Sequence, residues 1–458
     1  MQYCSKHELL DVSQNFIQSA SPPGIPRIGF DSWWTLTIVS LLYVVSYLDR
    51  FIVTMMVPDI KASLAITDVQ IGLILGPAFA LSYALFSIPF GWAADRWSRR
   101  MVILFGTCVF SIATAVSGFA TSFAAMLLLR ICVGMGEASL SPAALSLISQ
   151  KFPKERLTVA ISVFSMGPKI GTAVAFSLGG FILAGAAILV QKWSFLHGVE
   201  PWRLAFASAA IPSLLLGLLC LTFREPTLPE HSLKLESRGA LAFMVQRKRL
   251  ILPMLVGFGA VLICGQALMA WVPTYLERRF AWEAISYGPI IGVISLIGAG
   301  TLVIKGAIMD RLFARGILDI HIRFYTWLLI ATLPITLVTF LVSSKTTFVA
   351  CYFILSVITI PSTAYASVAI QLIAPPRLRG RVFAGFIIPL AIIGGFGPPL
   401  VGIITDYVAG SEAKVGYSLA GLLATALPIA IIALRYSLPG LQDAVRETHP
   451  DVTTEEAI

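Results

Sequence analysis

The sequence predicts an all-α polytopic membrane protein whose twelve helices form two related six-helix bundles. Three observations support this prediction: the scarcity of charge, twelve long apolar runs, and short motifs that repeat between the two halves of the chain. Of the 458 residues, 57% are hydrophobic and only 12% are charged. A water-soluble surface of this size needs more charge, so lipid is the expected solvent.

Each apolar run is long enough to cross a bilayer as a helix. A hydrocarbon core about 30 Å thick takes about 20 residues at the helical rise, and an open sheet edge is not stable there. The twelve predicted spans cover residues 34–57, 71–94, 101–121, 124–149, 157–183, 202–223, 251–275, 287–309, 323–343, 347–373, 382–405 and 417–438.

The polar segments between these runs divide the chain. The predicted parts are an N-terminal tail (1–33), a first bundle (34–223), a linker (224–250), a second bundle (251–438) and a C-terminal tail (439–458). Both tails are expected to be ordinary solvated ends.

The distribution of Lys and Arg predicts the orientation. If both ends of the chain are cytoplasmic, the cytoplasmic segments hold 22 of the 33 Lys and Arg residues and the outer loops hold 7. This is the bias that the positive-inside rule requires. The same distribution argues against nucleic-acid binding, because the basic residues form short clusters between apolar runs and not one polar domain.

Three short motifs recur in the same order in the two halves. The recurring segments are 57–58 with 272–273, 91–96 with 306–311, and 153–156 with 376–379. The first two pairs share an offset of 215 residues and the third has an offset of 223. Such repeats indicate duplicated halves, which transporters use to build a binding site between two bundles.

These motifs also resemble a known family. Residues 91–100 resemble the G-x-x-x-D-R-x-x-R-R signature of the major facilitator superfamily, and residues 130–137 resemble its R-x-x-x-G-x-G-E element. Residues 167–171 (Gly-Pro-Lys-Ile-Gly) are similar to its G-P-x-x-G antiporter element. More narrowly, residues 47–50 (Tyr-Leu-Asp-Arg) and 136–144 resemble the spinster-like branch.

The resemblance implies the major facilitator fold in a bacterial inner membrane, with membrane lipids and protons as partners. Members of the spinster-like branch move lysophospholipids or sphingosine phosphate-like lipids, often coupled to protons. We expect a monomer that uses a proton gradient and no cofactor. Lys169 departs from the mostly uncharged fifth span of that branch.

Six Asp, Glu, Lys or Arg side chains lie four or more residues inside the predicted spans, and each needs an explanation because burying a charge in the bilayer is unfavourable. They are Asp49, Arg50, Arg130, Glu137, Lys169 and Lys305. Lys305 is close to a loop, where its amine is expected to reach the interface. The other five all belong to the first half.

Their depths along the spans suggest two charge pairs, Asp49 with Arg130 and Glu137 with Lys169. Arg130 and Glu137 are seven residues apart, so both project from one face of span 4, which is expected to line the cavity. Burial disfavours a charged carboxylate and a nearby cation favours it, so such a group takes up or releases a proton as its surroundings change. Glu137 is the first candidate for proton coupling and Asp49 the second.

Other interpretations of these charges remain open. In one alternative, both pairs are fixed contacts that only hold the bundle together. In addition, Lys169 would either pair with Glu137 or contact a phosphate directly. The five charges sum to one surplus positive charge, which suits an anionic head group. The substrate-binding candidates are Arg130, Lys169, Arg50 and Tyr47 in the first bundle and Trp271, Tyr275 and Tyr365 in the second.

Aromatic residues of the second bundle would hold an apolar tail, although aromatic residues of membrane helices more often pack or face lipid. They are Trp271, Tyr275, Tyr352, Phe353 and Tyr365. No cluster of metal ligands and no nucleophile constellation is visible in the sequence, so neither a metal site nor an enzyme is expected.

The loop motifs are expected to act in conformational switching. Asp95 and Asp310 are placed to contact a helix N-terminus or an arginine at a helix end. The latch candidates are Gly91, Asp95, Arg96, Arg99, Arg156, Asp310, Arg311 and Arg379. Alternatively, the arginines serve only as positive-inside anchors. Gly167, Pro168 and Gly171 would allow span 5 to bend or to approach a neighbour closely, and their likeness to an antiporter element favours export.

These patterns predict a secondary transporter that moves an amphipathic, lipid-like anion by alternating access and is coupled to protons. A proton-coupled uptake symporter for a small organic anion and a multidrug exporter of the same fold remain alternatives. An ATP-driven pump is disfavoured because the sequence contains no G-x-x-x-x-G-K-[ST] loop.

Overall fold

The computed structural model describes residues 29–225, 238–359, 362–375 and 378–448, which are helical over most of their length and contain no strand. Within these ranges, eleven helices are long and apolar enough to cross a membrane. The predicted tenth span consists of two shorter apolar helices. The predicted all-α architecture of twelve spans is therefore confirmed. Residues 1–28 of the predicted N-terminal tail and residues 226–237 of the predicted linker lie outside the described residues, while residues 30–33 belong to the first helix.

The first half contains six spans. Its helices are Phe30–Ile52 (span 1), Val57–Leu64 (a connecting helix), Asp68–Leu75 and Pro77–Arg96 (span 2), Arg99–Ser117 (span 3), Phe123–Glu137 and Leu140–Lys151 (span 4), Lys154–Lys192 (span 5) and Pro201–Leu219 (span 6). Short 3₁₀ turns at Val53–Met55, Ser194–Leu196 and Cys220–Thr222 complete it.

The second half repeats this arrangement. Its helices are Arg238–Gln246 (a linker helix), Lys248–Phe280 (span 7), Ala284–Ala314 (span 8), Ile320–Thr339 (span 9), Lys345–Thr359 and Ser362–Ile373 (span 10), Arg379–Gly395 and Gly397–Ile403 with a π-helical segment Ile404–Ala409 (span 11), and Val415–Thr448 (span 12). A 3₁₀ turn at Glu412–Lys414 precedes span 12.

Proline explains why several predicted single spans are two helices. A proline has no N–H to donate to the carbonyl four residues earlier. Span 4 is interrupted at Ala138, directly after Glu137. Pro142 lies four residues later, so it donates no hydrogen bond to the Ala138 carbonyl. Span 11 is interrupted in the same way at Phe396, ahead of Pro398 and Pro399.

The predicted C-terminal tail is partly wrong. Span 12 continues to Thr448, and Leu441, Ala444 and Val445 are buried in that continuation. Their three- and four-residue spacing forms an apolar stripe on one helix face, which packs against the second bundle. Arg247, in the region predicted as linker, forms an ion pair of 2.6 Å with Glu447 at this end of the helix.

The repeated motifs occupy equivalent places in the two halves. Segment 91–96 ends the long helix of span 2, and segment 306–311 lies close to the end of span 8. The large apolar side chains that remain exposed, such as Leu85 (67%) and Val303 (77%), give the bundle the apolar exterior that lipid requires.

The two halves approach each other closely at the end opposite the linker, here called the far end. Span 5 packs along span 8, and the first helix of span 2 packs along span 11. A Cβ at Gly72 would lie only 2.5 Å from the Cα of Pro399, so only glycine permits this approach. The far end is therefore closed in this structure.

Candidate substrate cavity and coupling site

A cavity of about 270 Å³ lies between the two bundles. The first bundle contributes Tyr47, Phe51, Lys169 and Thr172 to its wall. The second bundle contributes Val261, Leu262, Cys264, Gly265, Gln266, Leu268, Met269, Leu329, Tyr352, Leu355, Ser356, Leu423 and Leu427. The cavity therefore has a short wall that carries an amine and a longer wall that is mostly apolar.

Glu137 forms an ion pair with Arg50, and the two atoms Oε2 and Nη2 are 2.5 Å apart. Glu137 is only 3% exposed. The Arg50 guanidinium also lies 4.4 Å from the ring centroid of Tyr47 and 3.8 Å from that of Phe79, which adds cation–π attraction. Because Tyr47 lines the cavity, this ion pair lies one side chain away from it.

The predicted pair of Glu137 with Lys169 is therefore wrong in this structure. Asp49 and Arg50 are consecutive, so their side chains leave span 1 about 100° apart. Arg50 points to Glu137 of span 4, while Asp49 accepts a hydrogen bond of 3.0 Å from Ser213 of span 6. A partner was predicted for Asp49 and none for Arg50.

The predicted direct pair of Asp49 with Arg130 is not formed either. Arg130 donates to the hydroxyl of Ser117 at 2.8 Å, and its guanidinium lies 5.1 Å from the ring centroid of Phe206. Asp49 is fully buried, and its Oδ1 has no hydrogen-bond partner within the described residues. Both charges are thus held by neutral neighbours in this conformation.

Lys305 is more deeply buried than expected, whereas Lys169 faces the cavity. Lys305 is 8% exposed and donates to the backbone carbonyl of Val357. The expectation that its amine reaches the membrane interface is therefore wrong in this structure. Val357 lies in the last turn of the first helix of span 10, where carbonyls lack helical partners. Lys169 lines the cavity, and no carboxylate of the described residues lies within 4 Å of its amine.

Three aromatic candidates are buried inside the second bundle, and the expectation that they face the cavity is wrong for this structure. Trp271 donates to the carbonyl of Pro398 at 2.9 Å. Tyr275 packs edge to face against Phe340, and Tyr365 stacks on a neighbouring tyrosine of span 9. The aromatic candidates that line the cavity are Tyr47 and Tyr352.

The Gly167–Pro168–Gly171 element permits a close approach rather than a break. Span 5 continues as one helix from Lys154 to Lys192 through Pro168. A Cβ at Gly171 would lie 2.4 Å from the carbonyl oxygen of Val44 in span 1. This approach brings Lys169 and Tyr47 to the same cavity.

The predicted latch is not engaged at the linker end. Within the described residues, neither Asp95 nor Asp310 forms an ion pair. Gly91 lies in the same helix as Asp95, the Arg96 guanidinium stacks over Trp92, and Arg99 donates to Gln150 at 2.9 Å. The remaining latch residues Arg156, Arg311 and Arg379 are exposed. Their switching role stays a prediction.

A charged cluster that was not predicted from the sequence joins the two bundles at the far end. The far-end cluster comprises Lys61, Asp68, Arg278 and Glu412. Arg278 donates to both carboxylate oxygens of the fully buried Asp68, at 2.7 and 2.8 Å. Lys61 lies 2.6 Å from Asp68 and 2.7 Å from Glu412. One signal was present: Lys61 and Arg278 each follow a copy of the repeated Val-Pro dipeptide within five residues.

A further carboxylate strengthens this closure. Asp406 of span 11 accepts a hydrogen bond of 2.9 Å from the backbone N–H of Val69. Val69 lies in the first turn of span 2, where N–H groups lack helical partners and favour a negative charge. The second bundle thus holds the start of span 2 through two separate contacts.

Outside the spans, two carboxylates at the far end are shifted in opposite directions. Hydrogen bonds from Ser63 at 2.6 Å and from Arg203 at 2.8 Å lower the pKa of Glu200. Burial, together with the charge of Glu200, raises the pKa of Asp59.

A two-bundle helical fold that encloses a cavity lined by both halves, with buried charges beside it and one closed end, defines a membrane transporter. The chain belongs to the Major Facilitator Superfamily, whose family model matches residues 39–384. It is a secondary transporter of that superfamily and not an enzyme.

The relatives of the chain include several transporter types. It is 25% identical over 389 residues to an MFS-type efflux pump of Mycolicibacterium smegmatis, covering 82% of this chain and 85% of that protein. It is 26% identical to the hexuronate transporter of Bacillus subtilis, covering 85% and 91%. It is 24% identical to the protein spinster of Drosophila melanogaster, covering 56% of this chain and 40% of that protein.

A solved structure supports the same fold. The crystal structure of a bacterial homologue of the human lysosomal transporter spinster, inward-facing and unoccupied, superposes with a TM-score of 0.77 at 22% identity. The superposition covers 92% of this chain and 98% of that chain. The predicted resemblance to the spinster-like branch is therefore confirmed.

Proposed function

We propose that the chain exports an amphipathic, lipid-like anion of the lysophospholipid or sphingoid phosphate class by alternating access, and that protons drive this transport. The observation that carries the proposal is the cavity between the bundles, because it combines one amine with a long apolar wall. An amphipathic anion matches both parts. A wholly polar solute would leave the apolar wall without a partner.

Proton coupling is assigned to Glu137, with Asp49 as the second site. In the deprotonated state, the Arg50–Glu137 pair is closed at 2.5 Å. Protonation of Glu137 removes the negative partner and leaves the guanidinium of Arg50 charged beside the cavity. A substrate anion then gains a second attraction, so proton and substrate occupancy become linked.

The closed far end supports an alternating-access cycle in which the linker end would open while the far end is closed, and the far-end cluster must separate in the opposite state. The predicted latch at the linker end would then form. The Lys and Arg distribution supports placing the linker end in the cytoplasm of a bacterial cell, with the protein as a monomer in the inner membrane. The efflux pump among the relatives supports export.

Proton movement in liposomes tests this proposal. The purified protein is reconstituted with a trapped pH dye and challenged with lysophospholipids, sphingoid phosphates and small carboxylates. We expect a lipid-triggered pH change in the wild type that Glu137→Gln abolishes. Glu283→Gln is the matched control, because Glu283 is exposed at the far end and lies outside the spans. Lipid transport without any pH change would refute proton coupling.

A second candidate is proton-coupled uptake of a small organic anion. The match to a hexuronate transporter over 91% of that protein favours it, as does the modest cavity of about 270 Å³. In the same liposomes, a pH change with hexuronate and none with any lipid would select this function. The multidrug exporter alternative predicts a response to cationic amphiphiles.

A further inference from the structure

The cations inside the spans differ in how fully they are engaged. Arg50 is held by Glu137 and by aromatic rings, Arg130 by Ser117 and Lys305 by the carbonyl of Val357. Lys169 has no carboxylate within 4 Å and no hydrogen-bond acceptor among the described residues. Its amine is therefore the cation that remains available in this conformation.

The residues around Lys169 limit which groups can neutralise the positive charge of its amine. The nearest polar neighbour along span 5 in the cavity wall is Thr172, whose hydroxyl already donates to the carbonyl of Pro168 at 2.8 Å. Across the cavity, the wall is apolar over most of its length, through residues such as Leu268, Leu329 and Leu427. A charged amine in such surroundings is unfavourable unless a bound group pairs with it.

We propose that this cavity selects an amphiphile with a single negative charge, whose anionic group binds the Lys169 amine and whose hydrocarbon chain lies along the second bundle. This inference rests on the proposed function, because it takes the cavity to be the transport site. Within the proposed class it favours phosphodiesters with a single negative charge and ranks phosphomonoesters below them.

The net charge of the ligand decides whether a buried charge is left without a partner. A monoanion neutralises Lys169 and leaves no unpaired charge in the apolar cavity. While Glu137 is ionised and paired with Arg50, a dianion leaves one negative charge unpaired, because Glu137 and three aromatic rings already occupy Arg50. A zwitterion brings a second cation next to Lys169. Each mismatch leaves a buried charge without a partner, which is costly.

Competition binding with lysolipids of one chain length tests the inference. Purified protein in nanodiscs is titrated at about pH 8, where a phosphomonoester is close to doubly charged. The probes are lysophosphatidylglycerol (one negative charge), lysophosphatidic acid (two), lysophosphatidylcholine (zwitterion) and an acylcholine (one positive charge). We expect the wild type to bind lysophosphatidylglycerol about tenfold or more tightly than the other three.

The variants separate charge from shape. Lys169→Gln should remove the preference, Lys169→Arg should retain it, and Lys169→Glu should favour the acylcholine. Lys305→Gln is the matched control, because it removes another buried cation that does not line the cavity, and it should keep the wild-type order. The Lys169→Arg variant and the wild-type order remain decisive if Lys169→Gln does not fold.

The outcomes distinguish the two proposals. If the wild type binds none of the lysolipids, the proposed lipid function is wrong. If it binds them without regard to charge, or favours the dianion, the function survives and the single-charge inference is overturned. A Lys169→Gln variant that folds and keeps the monoanion preference also overturns it.

Discussion

The two bundles share one framework but differ in chemistry. The first bundle places Asp49, Arg50, Arg130, Glu137 and Lys169 within its spans, whereas the second places a mostly apolar wall opposite them. Buried charges are stable only when they have partners, and placing them in one bundle lets Arg50 and Glu137 pair with each other. The difference indicates that the first bundle supplies charge recognition and coupling, while the second supplies an apolar surface and the far-end contacts.

Removing one member of the central ion pair should have the largest effect on stability. Arg50→Leu leaves Glu137 buried without its cation, which costs about 3–5 kcal/mol unless the carboxylate takes up a proton. We expect a large fall in the melting temperature of the purified protein at neutral pH and partial recovery at acidic pH. The double variant Arg50→Leu/Glu137→Leu should recover most of the loss, and an unchanged melting temperature for Arg50→Leu would refute the stabilising role of the pair.

Breaking the far-end cluster should shift the balance between conformations. Arg278→Gln removes both charge-assisted hydrogen bonds to Asp68, each worth about 1.5–3 kcal/mol. We expect the far-end-open population to rise about tenfold or more. The measurement is the distance between labels on the exposed residues Ala62 and Ser411 in a cysteine-free background.

The neighbouring arginine provides the control for this prediction. Arg279 bonds to Ser343 at 3.3 Å within the second bundle, so Arg279→Gln should leave the label distances unchanged. Equal opening by both variants would mean that net charge at the far end, and not the contact between bundles, sets the balance.

A matched pair of glycines compares close packing in the two bundles. Gly171→Ala in span 5 places a Cβ 2.4 Å from the carbonyl oxygen of Val44, and such overpacking costs about 1–3 kcal/mol. Gly300→Ala in span 8 meets nothing within 4 Å and should be neutral or slightly stabilising, since alanine favours a helix. Melting temperatures of the two variants decide the comparison; equal values would contradict it.

The smallest expected effect concerns the far-end loop of the first bundle. The contacts with Ser63 and Arg203 lower the pKa of Glu200 in the folded state, so its contribution to stability is present above the pKa of the unfolded chain and is lost as pH falls. Because Glu200 is largely exposed, the contribution is at most about 1 kcal/mol. Glu200→Gln should reduce the difference in melting temperature between neutral and acidic pH, and an identical pH dependence would exclude the contact.

Much of the fold could be predicted because a membrane span must be apolar and long enough to cross the bilayer, and both properties can be read from the sequence. The apolar runs located the spans, and the motif offsets indicated the duplicated halves. Boundaries were less accurate where local chemistry intervened, as at Pro142, which interrupts span 4, and at Leu441, which extends span 12.

The site was predicted only in part. The buried charges were identified because ionisable residues are rare inside apolar runs, but their partners depended on side-chain direction. Arg50, adjacent to Asp49 in the chain, points to a different span. The assignment of Trp271 and Tyr365 to the cavity was wrong. An aromatic residue type alone does not distinguish a cavity wall from an interface between helices.

The sequence by itself determined the solvent, the number of spans, the duplication and the identity of the charged residues, because each of these follows from composition and spacing along the chain. Only the tertiary structure decided that Glu137 pairs with Arg50, that Lys169 faces a cavity with no carboxylate of the described residues within 4 Å of its amine, and that Lys61, Asp68, Arg278 and Glu412 close the far end. These contacts join residues up to hundreds of positions apart, and they depend on how helices rotate and pack against one another, which spacing along one chain does not specify.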